Sequence, residues 1–334
     1  MIKKKKVIII AEIGSVHDGS LGQAKNLIRE AANCGADAVK IQTHIADEET
    51  LVNAPSPKYF NSEDRYNYFK RTAFNYKQIK ELFFFSKKIG IHFFSSPFSI
   101  AAVELLEKVG VKFYKIASGE VTNLPLLERI KKTNKTVFLS SGMSSWMEIQ
   151  KAYSILKNKK NKVIVMQCTS RYPCEVEKVG LNIIKKMKNK FKHVGFSDHT
   201  LNSTAAIGSV FYGVDVIEKH FTLSKKMYGS DAKYAMEPNE FFNYCQAIRE
   251  AKKMYETKVN KIITSDLKEM RYVFQKSICL SKDLIKNQRI KFEDLAFKKP
   301  GHGVSPSEYK FFIGKRLTRD CYKNEFFTKK LVKK

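Results

Sequence analysis

The sequence predicts an α/β protein, a (β/α)8 TIM barrel followed by a small β-rich module. Three observations carry this. Eight short apolar runs alternate with eight amphipathic helical stripes between Val7 and Tyr255. The apolar runs end abruptly in polar, chemically competent side chains, as barrel strands do at their carboxyl ends. Past Tyr255 the periodicity fails, and short runs separated by turn residues take over. A doubly wound open sheet is the alternative for the first part.

The predicted strands are Val7–Ile13, Ala38–Gln42, His92–Ser96, Phe113–Ala117, Thr136–Ser140, Val163–Gln167, His193–Phe196 and Val216–Lys219. Their interiors are rich in Val, Ile, Phe and Ala, as in strands covered on both faces. Helical stripes lie between them. Leu21–Cys34 places Leu21, Ala24, Leu27, Ile28 and Ala31 on one face and ends at Gly35. Tyr76–Ile89 stops at Gly90, and Ile100–Val109 stops at Gly110. Leu124–Lys132, Trp146–Leu156, Leu181–Phe191, Ser203–Tyr212 and Asn239–Tyr255 complete the set. Asp47–Thr72 is longer than an ordinary loop and rich in Tyr, Asn, Pro and charge, which predicts a lid or substrate wall after the second strand. The expected division is a barrel over 1–258, a polar linker over 259–272 and a module over 273–334. A module of about 60 residues is near the lower size limit for its own core, so it is expected to lean on the barrel or a partner subunit.

Composition narrows the function classes. A hydrophobic content of 43% in 334 residues supports a sizeable core. The six cysteines form no CxxC pair, which suggests free thiols and a cytoplasmic setting. The lysine-rich start and the run Val7–Ile10 meet Glu12 too soon for a signal peptide or a membrane span. The formal charge of +28 invites a nucleic-acid reading. The lysines, however, are spread over nearly every helix, as at Lys157–Lys162 and Lys185–Lys192, and no zinc-finger, helix-turn-helix or RNP-type motif occurs. Specific nucleic-acid binding is therefore not expected, although weak adhesion to polyanions is.

The strand ends form one chemical set. They offer Glu12 and Gly14; Lys40, Gln42 and His44; Ser95 and Ser96; and Lys115, Ser118, Gly119 and Glu120. The later strands add Ser140 to Gly142; Gln167, Thr169, Ser170 and Tyr172; Ser197 to His199; and Glu218 to His220. His199 and His220 are 21 residues apart (220 minus 199), about one βα unit. They either share a divalent metal or are satisfied by local hydrogen bonds. Two lysines with a ring of serines suit a phosphate and a carboxylate on one small molecule, or else pair with Glu12 and Glu120. An anion pocket beside a carbonyl-polarising metal suggests carbon–carbon bond chemistry with a phosphorylated partner. No Walker loop or dinucleotide fingerprint is present. A Schiff-base aldolase using Lys40 or Lys115 and a non-catalytic glycan- or polyanion-binding barrel are the alternatives.

The motifs that carry a resemblance are Ala11-Glu12-Ile13-Gly14 with His17-Asp18-Gly19, Gly35 to Thr43, Ser96-Pro97-Phe98, Lys115 to Glu120, Ser140 to Met143, Gly195 to Thr200 and Glu218 to Thr222. In this order the chain resembles the sialic acid synthase family, the N-acetylneuraminate synthases and their legionaminate and pseudaminate relatives. The carboxy-terminal stretch is similar to that family's antifreeze-like (SAF) module. The resemblance implies condensation of phosphoenolpyruvate with an N-acetylated hexosamine to give a nine-carbon 2-keto acid and phosphate. It implies that His199 and His220 ligate Mn2+ or Mg2+, and that Lys40, Ser96, Lys115, Ser118, Ser140 and Ser197 hold phosphoenolpyruvate. It assigns Glu12 to sugar positioning, Glu120 to proton movement, and Tyr172 and Asp231 to sugar contacts. It also implies a domain-swapped homodimer, in which Lys299 stands where the family commonly has an arginine reaching the sugar; lysine keeps the charge and loses the planar fork.

Overall fold

The computed structural model describes residues 6–56 and 63–333. The start of the basic lead-in, residues 1–5, and the middle of the predicted lid, residues 57–62, lie outside the described residues. The chain divides into two compact units, Met1–Thr257 and Lys258–Lys334.

In the first unit eight parallel strands close into a barrel in chain order. They are β1 (Ile8–Gly14), β2 (Ala38–Thr43), β3 (His92–Pro97), β4 (Phe113–Ile116), β5 (Thr136–Ser140), β6 (Val163–Gln167), β7 (Val194–Asp198) and β8 (Val216–His220). The helices around them are α1 (Leu21–Asn33), α2 (Ala46–Glu49), α3 (Arg65–Thr72), α4 (Tyr76–Lys88), α5 (Ile100–Val109), α6 (Leu124–Lys131), α7 (Trp146–Leu156), α8 (Leu181–Lys190), α9 (Thr204–Phe211) and α10 (Pro238–Glu256). Local sequence sets several helix starts. The side chains of Ser20, Asn75, Ser99 and Ser145 each accept a hydrogen bond from a backbone N–H of the first turn. The described residues of the lid segment include two short helices, α2 and α3, which the sequence reading did not specify.

Side-chain alternation along each strand separates core from chemistry. Ile8, Ile10, Ala38, Phe94, Phe138, Ile164, Met166 and Val216 form one apolar cluster. Two positions further along the same faces stand Glu12, Lys40, Ser96, Ser140, Cys168 and Glu218. An apolar layer therefore closes the floor, and polar groups gather at the mouth. The opposite strand faces pack with the helices in a second, larger cluster that includes Ile9, Val39, Leu106, Leu139 and Ile217.

The second unit has its own core, including Ile278, Leu284, Phe312, Leu317 and Phe327. Its regular sheet is one antiparallel pair, β9 (Ser277–Leu280) with β10 (Leu295–Lys298), extended by isolated bridges such as Cys279 to Phe326. Most of a helix, α11 (Ser265–Phe274), lies in the predicted linker over 259–272. Leu267, Lys268, Glu269, Met270 and Arg271 are strong helix formers, with Asp266 in the first turn and Arg271 in the last. None of its residues is buried, so the one-sided stripe that marks the barrel helices is missing.

Candidate active site

Register brings the mouth together in three clusters. β1 and β2 pair Glu12 with Lys40, and the carboxylate and ammonium meet at 2.6 Å. Lys40 also donates to Ser96 Oγ at 3.0 Å, and Gln42 donates to Glu12 at 3.2 Å. Across the barrel Lys115 meets Glu218 at 2.6 Å, and Ser197 donates to the same carboxylate at 3.2 Å. Lys40, Lys115, Glu12 and Glu218 are all buried. Both lysines expected to bind an anion are thus held by carboxylates: Lys40 by Glu12, one of the two that the sequence offered, and Lys115 by Glu218. Glu120 instead accepts from Asn123 at 2.8 Å, and burial pushes its carboxyl up.

Glu218 is the residue sequence reasoning left without a role. Its signal was present: it lies two positions before His220 on one strand, hence on the same face. Burial alone would raise its pKa, but Lys115 and Lys40 together pull it down to about 2. Glu12 goes the other way. Burial, helped by the charge of Glu218, lifts it to about 7 against the pull of Lys40. A lowered carboxylate contributes stability that is present above the unfolded value, near 4.5, and lost as pH falls through the folded value, near 2. Acid unfolding between these limits should therefore include Glu218, and a Glu218→Gln variant should show a shallower loss of stability there, read from urea midpoints against pH.

The second cluster is a hydroxyl patch. Ser118 donates to Ser140 at 3.1 Å and accepts from the Gly142 amide at 3.2 Å. A Cβ on Gly142 would lie 2.2 Å from Ser170 Oγ and 2.7 Å from Ser118 Oγ, so glycine is required for this close approach.

The third cluster contains the histidines. The imidazole centroids of His199 and His220 are 5.6 Å apart. Tyr172 lies against both, with centroids at 4.3 Å from His199 and 5.7 Å from His220. His199 Nδ1 donates to the Thr169 carbonyl at 2.8 Å, so Nε2 carries the lone pair when the ring is neutral. His220 Nδ1 is buried with no hydrogen-bond partner among the described residues, and an Asp231 oxygen stands 3.9 Å away. Burial and the charge of His199 keep His220 neutral, well below the usual histidine range. Gly14, at φ +56°, passes so close to Asp231 that a Cβ there would sit 2.6 Å from its carboxylate.

Two further groups carry no role assigned from the sequence. Cys168 Sγ is 3.9 Å from His199 Nδ1; burial raises it, but His199 outweighs this and brings it to about 7. His44 lies between the Phe69 and Phe98 rings and meets Glu49 at 2.6 Å and Gln42 at 3.1 Å. On the rim, Arg71 of α3 bonds Asp18 at 2.8 Å and Glu63 at 2.9 Å and lies over the Tyr228 ring, joining the lid to the loops after β1 and β8. Lys299 belongs to the second unit, where its ammonium lies 5.0 Å from the Phe274 ring centroid. Among the described residues no helix is long and apolar enough to cross a membrane.

Fold and mouth define a class: a (β/α)8-barrel enzyme with paired buried lysines and carboxylates beside two converging imidazoles. Comparison with known proteins makes the class specific. The NeuB family model matches residues 27–260. The N,N'-diacetyllegionaminic acid synthase of Campylobacter jejuni is 38% identical, over 96% of this chain and 98% of that protein. Pseudaminic acid synthase of the same organism is 33% identical, over 95% and 94%. The crystal structure of N-acetylneuraminic acid synthetase from Leptospira borgpetersenii, in complex with citrate, superposes with a TM-score of 0.69 at 31% identity, covering 80% of this chain and 90% of that one. The chain belongs to the NeuB family, the sialic acid synthases.

Proposed function

We propose that this enzyme condenses phosphoenolpyruvate with a 2,4-diacetamido-trideoxyhexose, as a legionaminate-type synthase. The observation that carries the condensation is the pair of buried lysines, each already holding a carboxylate, beside the two histidines. A dianionic phosphate with a carboxylate is the ligand that such ammonium groups and the Ser118–Ser140 patch would take. The acceptor assignment is supported by the full-length similarity to the legionaminic acid synthases of C. jejuni and, at 35% identity, of Legionella pneumophila.

The donor set fits a divalent cation. His199 offers Nε2 because Thr169 holds its Nδ1, and His220 is neutral with a buried nitrogen that lacks a hydrogen-bond partner among the described residues. Among the described residues no group of three or more His, Cys, Asp or Glu converges as a metal cage, so further ligands would be water or substrate oxygens. Bound Mn2+ or Mg2+ would supply Lewis acidity at the acceptor aldehyde.

The chain's own residues do the rest. Lys40, Ser96, Lys115, Ser118, Ser140 and Ser197 orient phosphoenolpyruvate. Glu12, oriented by Gln42 and titrating near neutrality, positions the sugar. In the overall step, C3 of phosphoenolpyruvate bonds to the aldehyde carbon, whose oxygen takes a proton. Water adds at C2, and the C2–O bond breaks to release phosphate. Glu120, its carboxyl raised by burial, is suited to moving the proton of that water. Tyr172 and Asp231 line the acceptor side. Lys299, the SAF-like character of the second unit and a swapped homodimer complete the proposal.

Side-by-side assays with phosphoenolpyruvate and N-acetylmannosamine, its 2,4-diacetamido-trideoxy analogue or the altrose-configured pseudaminate precursor test it. Phosphate release should be fastest with the diacetamido-manno sugar and should cease after exhaustive EDTA treatment. Turnover that survives EDTA, or a borohydride-trapped adduct on Lys40 or Lys115, would replace this reading with an aldolase.

A further inference from the structure

Behind the two histidines, on the outer face of the same strands, lies a second buried constellation that the condensation does not use. β7 and β8 pair Asp198 with Lys219. The next residue after each is a histidine, His199 just past the end of β7 and His220 at the end of β8. Because side chains alternate, the histidines face the barrel mouth, and Asp198 and Lys219 face the helices. Both are buried, at 0% and 1% exposure, and their charges meet at 3.2 Å.

Every polar contact of this pair bears on the segment that carries His199. Asp198 accepts from the Thr200 amide at 2.9 Å and from the Thr200 hydroxyl at 2.8 Å. Lys219 donates to the Thr200 carbonyl. Tyr244 of α10 donates its hydroxyl to Asp198 at 3.0 Å, and its ring lies beneath the Lys219 ammonium at 5.5 Å. The residues before and after His199 are therefore both clamped to the strand that carries His220. A buried charge pair is expensive to desolvate and gives little net stability over an apolar pair of similar volume. Its geometric consequence is specific: it fixes the spacing between two strand ends at the point where two ligands must converge.

We propose that Asp198, Lys219 and Tyr244 are positioning residues that hold His199 and His220 at the separation one divalent cation requires. This rests on the metal reading above. Outer residues that orient metal ligands typically change metal affinity 10–100-fold when altered.

The test is Mn2+ binding to the full-length protein without substrates, read as free Mn2+ by electron paramagnetic resonance. Two variants are compared with wild type. Lys219→Met/Asp198→Asn removes both charges together and avoids stranding one of them. Tyr244→Phe removes a single hydroxyl. The Mn2+ Kd should rise about 10–100-fold in the double variant and by a smaller factor in Tyr244→Phe. KM for phosphoenolpyruvate and thermal midpoints should stay near wild type in Tyr244→Phe. Wild-type Mn2+ affinity in both variants, with or without a fall in thermal midpoint, would overturn the inference alone and leave the metal reading standing. A wild-type protein that binds no Mn2+ would sink the metal reading and the inference together. Should the double variant fail to fold, Tyr244→Phe decides by the same readout.

Discussion

Replacing Lys115 with methionine should reduce kcat/KM by on the order of 10^3-fold and also destabilise the fold. The ammonium is the partner of Glu218 at 2.6 Å, and the carboxylate also receives Ser197. Removing the lysine leaves a buried carboxylate whose remaining cationic support comes from Lys40, already paired with Glu12. Breaking a buried pair on one side costs about 3–5 kcal/mol. The double variant Lys115→Met/Glu218→Gln should recover most of that stability, because no unpaired charge remains, and should stay inactive. Chemical unfolding and phosphate-release assays on the two proteins separate the effects. Full activity in the stable double variant would show that Lys115 is structural and that the anion binds elsewhere.

Substituting His220 with leucine should have the opposite balance. Activity should fall by on the order of 10^3-fold, since the cation's contribution of several kcal/mol is lost. Stability should hold or rise. His220 Nδ1 is buried without a hydrogen-bond partner among the described residues, and such a group costs about 1–3 kcal/mol. Replacing it with an apolar side chain of similar size removes that cost, so the thermal midpoint should shift upward by a few degrees. A large drop in midpoint would mean that His220 makes a structural contact instead. Binding of phosphoenolpyruvate, followed by calorimetry, should survive in this variant.

The barrel was legible because its strands run continuously apolar and its helices carry one apolar stripe each, so period and length agree at every element. The positions of Lys40, Lys115, His199 and His220 were legible as strand ends. Their pairings were not. The partner of Lys115 is Glu218, 103 residues away, and closure of the sheet between β8 and β1 is what brings such distant strands to one mouth. Helix α11 was missed because helix propensity without burial leaves no stripe to detect.

By itself the sequence determined the strand and helix order, the polar character of one barrel end and the two imidazoles destined for it. All of these follow from local periodicity and from which side chains tolerate burial. Only the tertiary structure decided which lysine holds which carboxylate, why Glu12 and Glu218 titrate in opposite directions, and that Asp198 and Lys219 lock together behind the histidines. The physical reason is that charge interactions inside a low-dielectric mouth depend on distances of a few ångströms between residues far apart in the chain, and register across a closed sheet, absent from any local stretch, sets those distances.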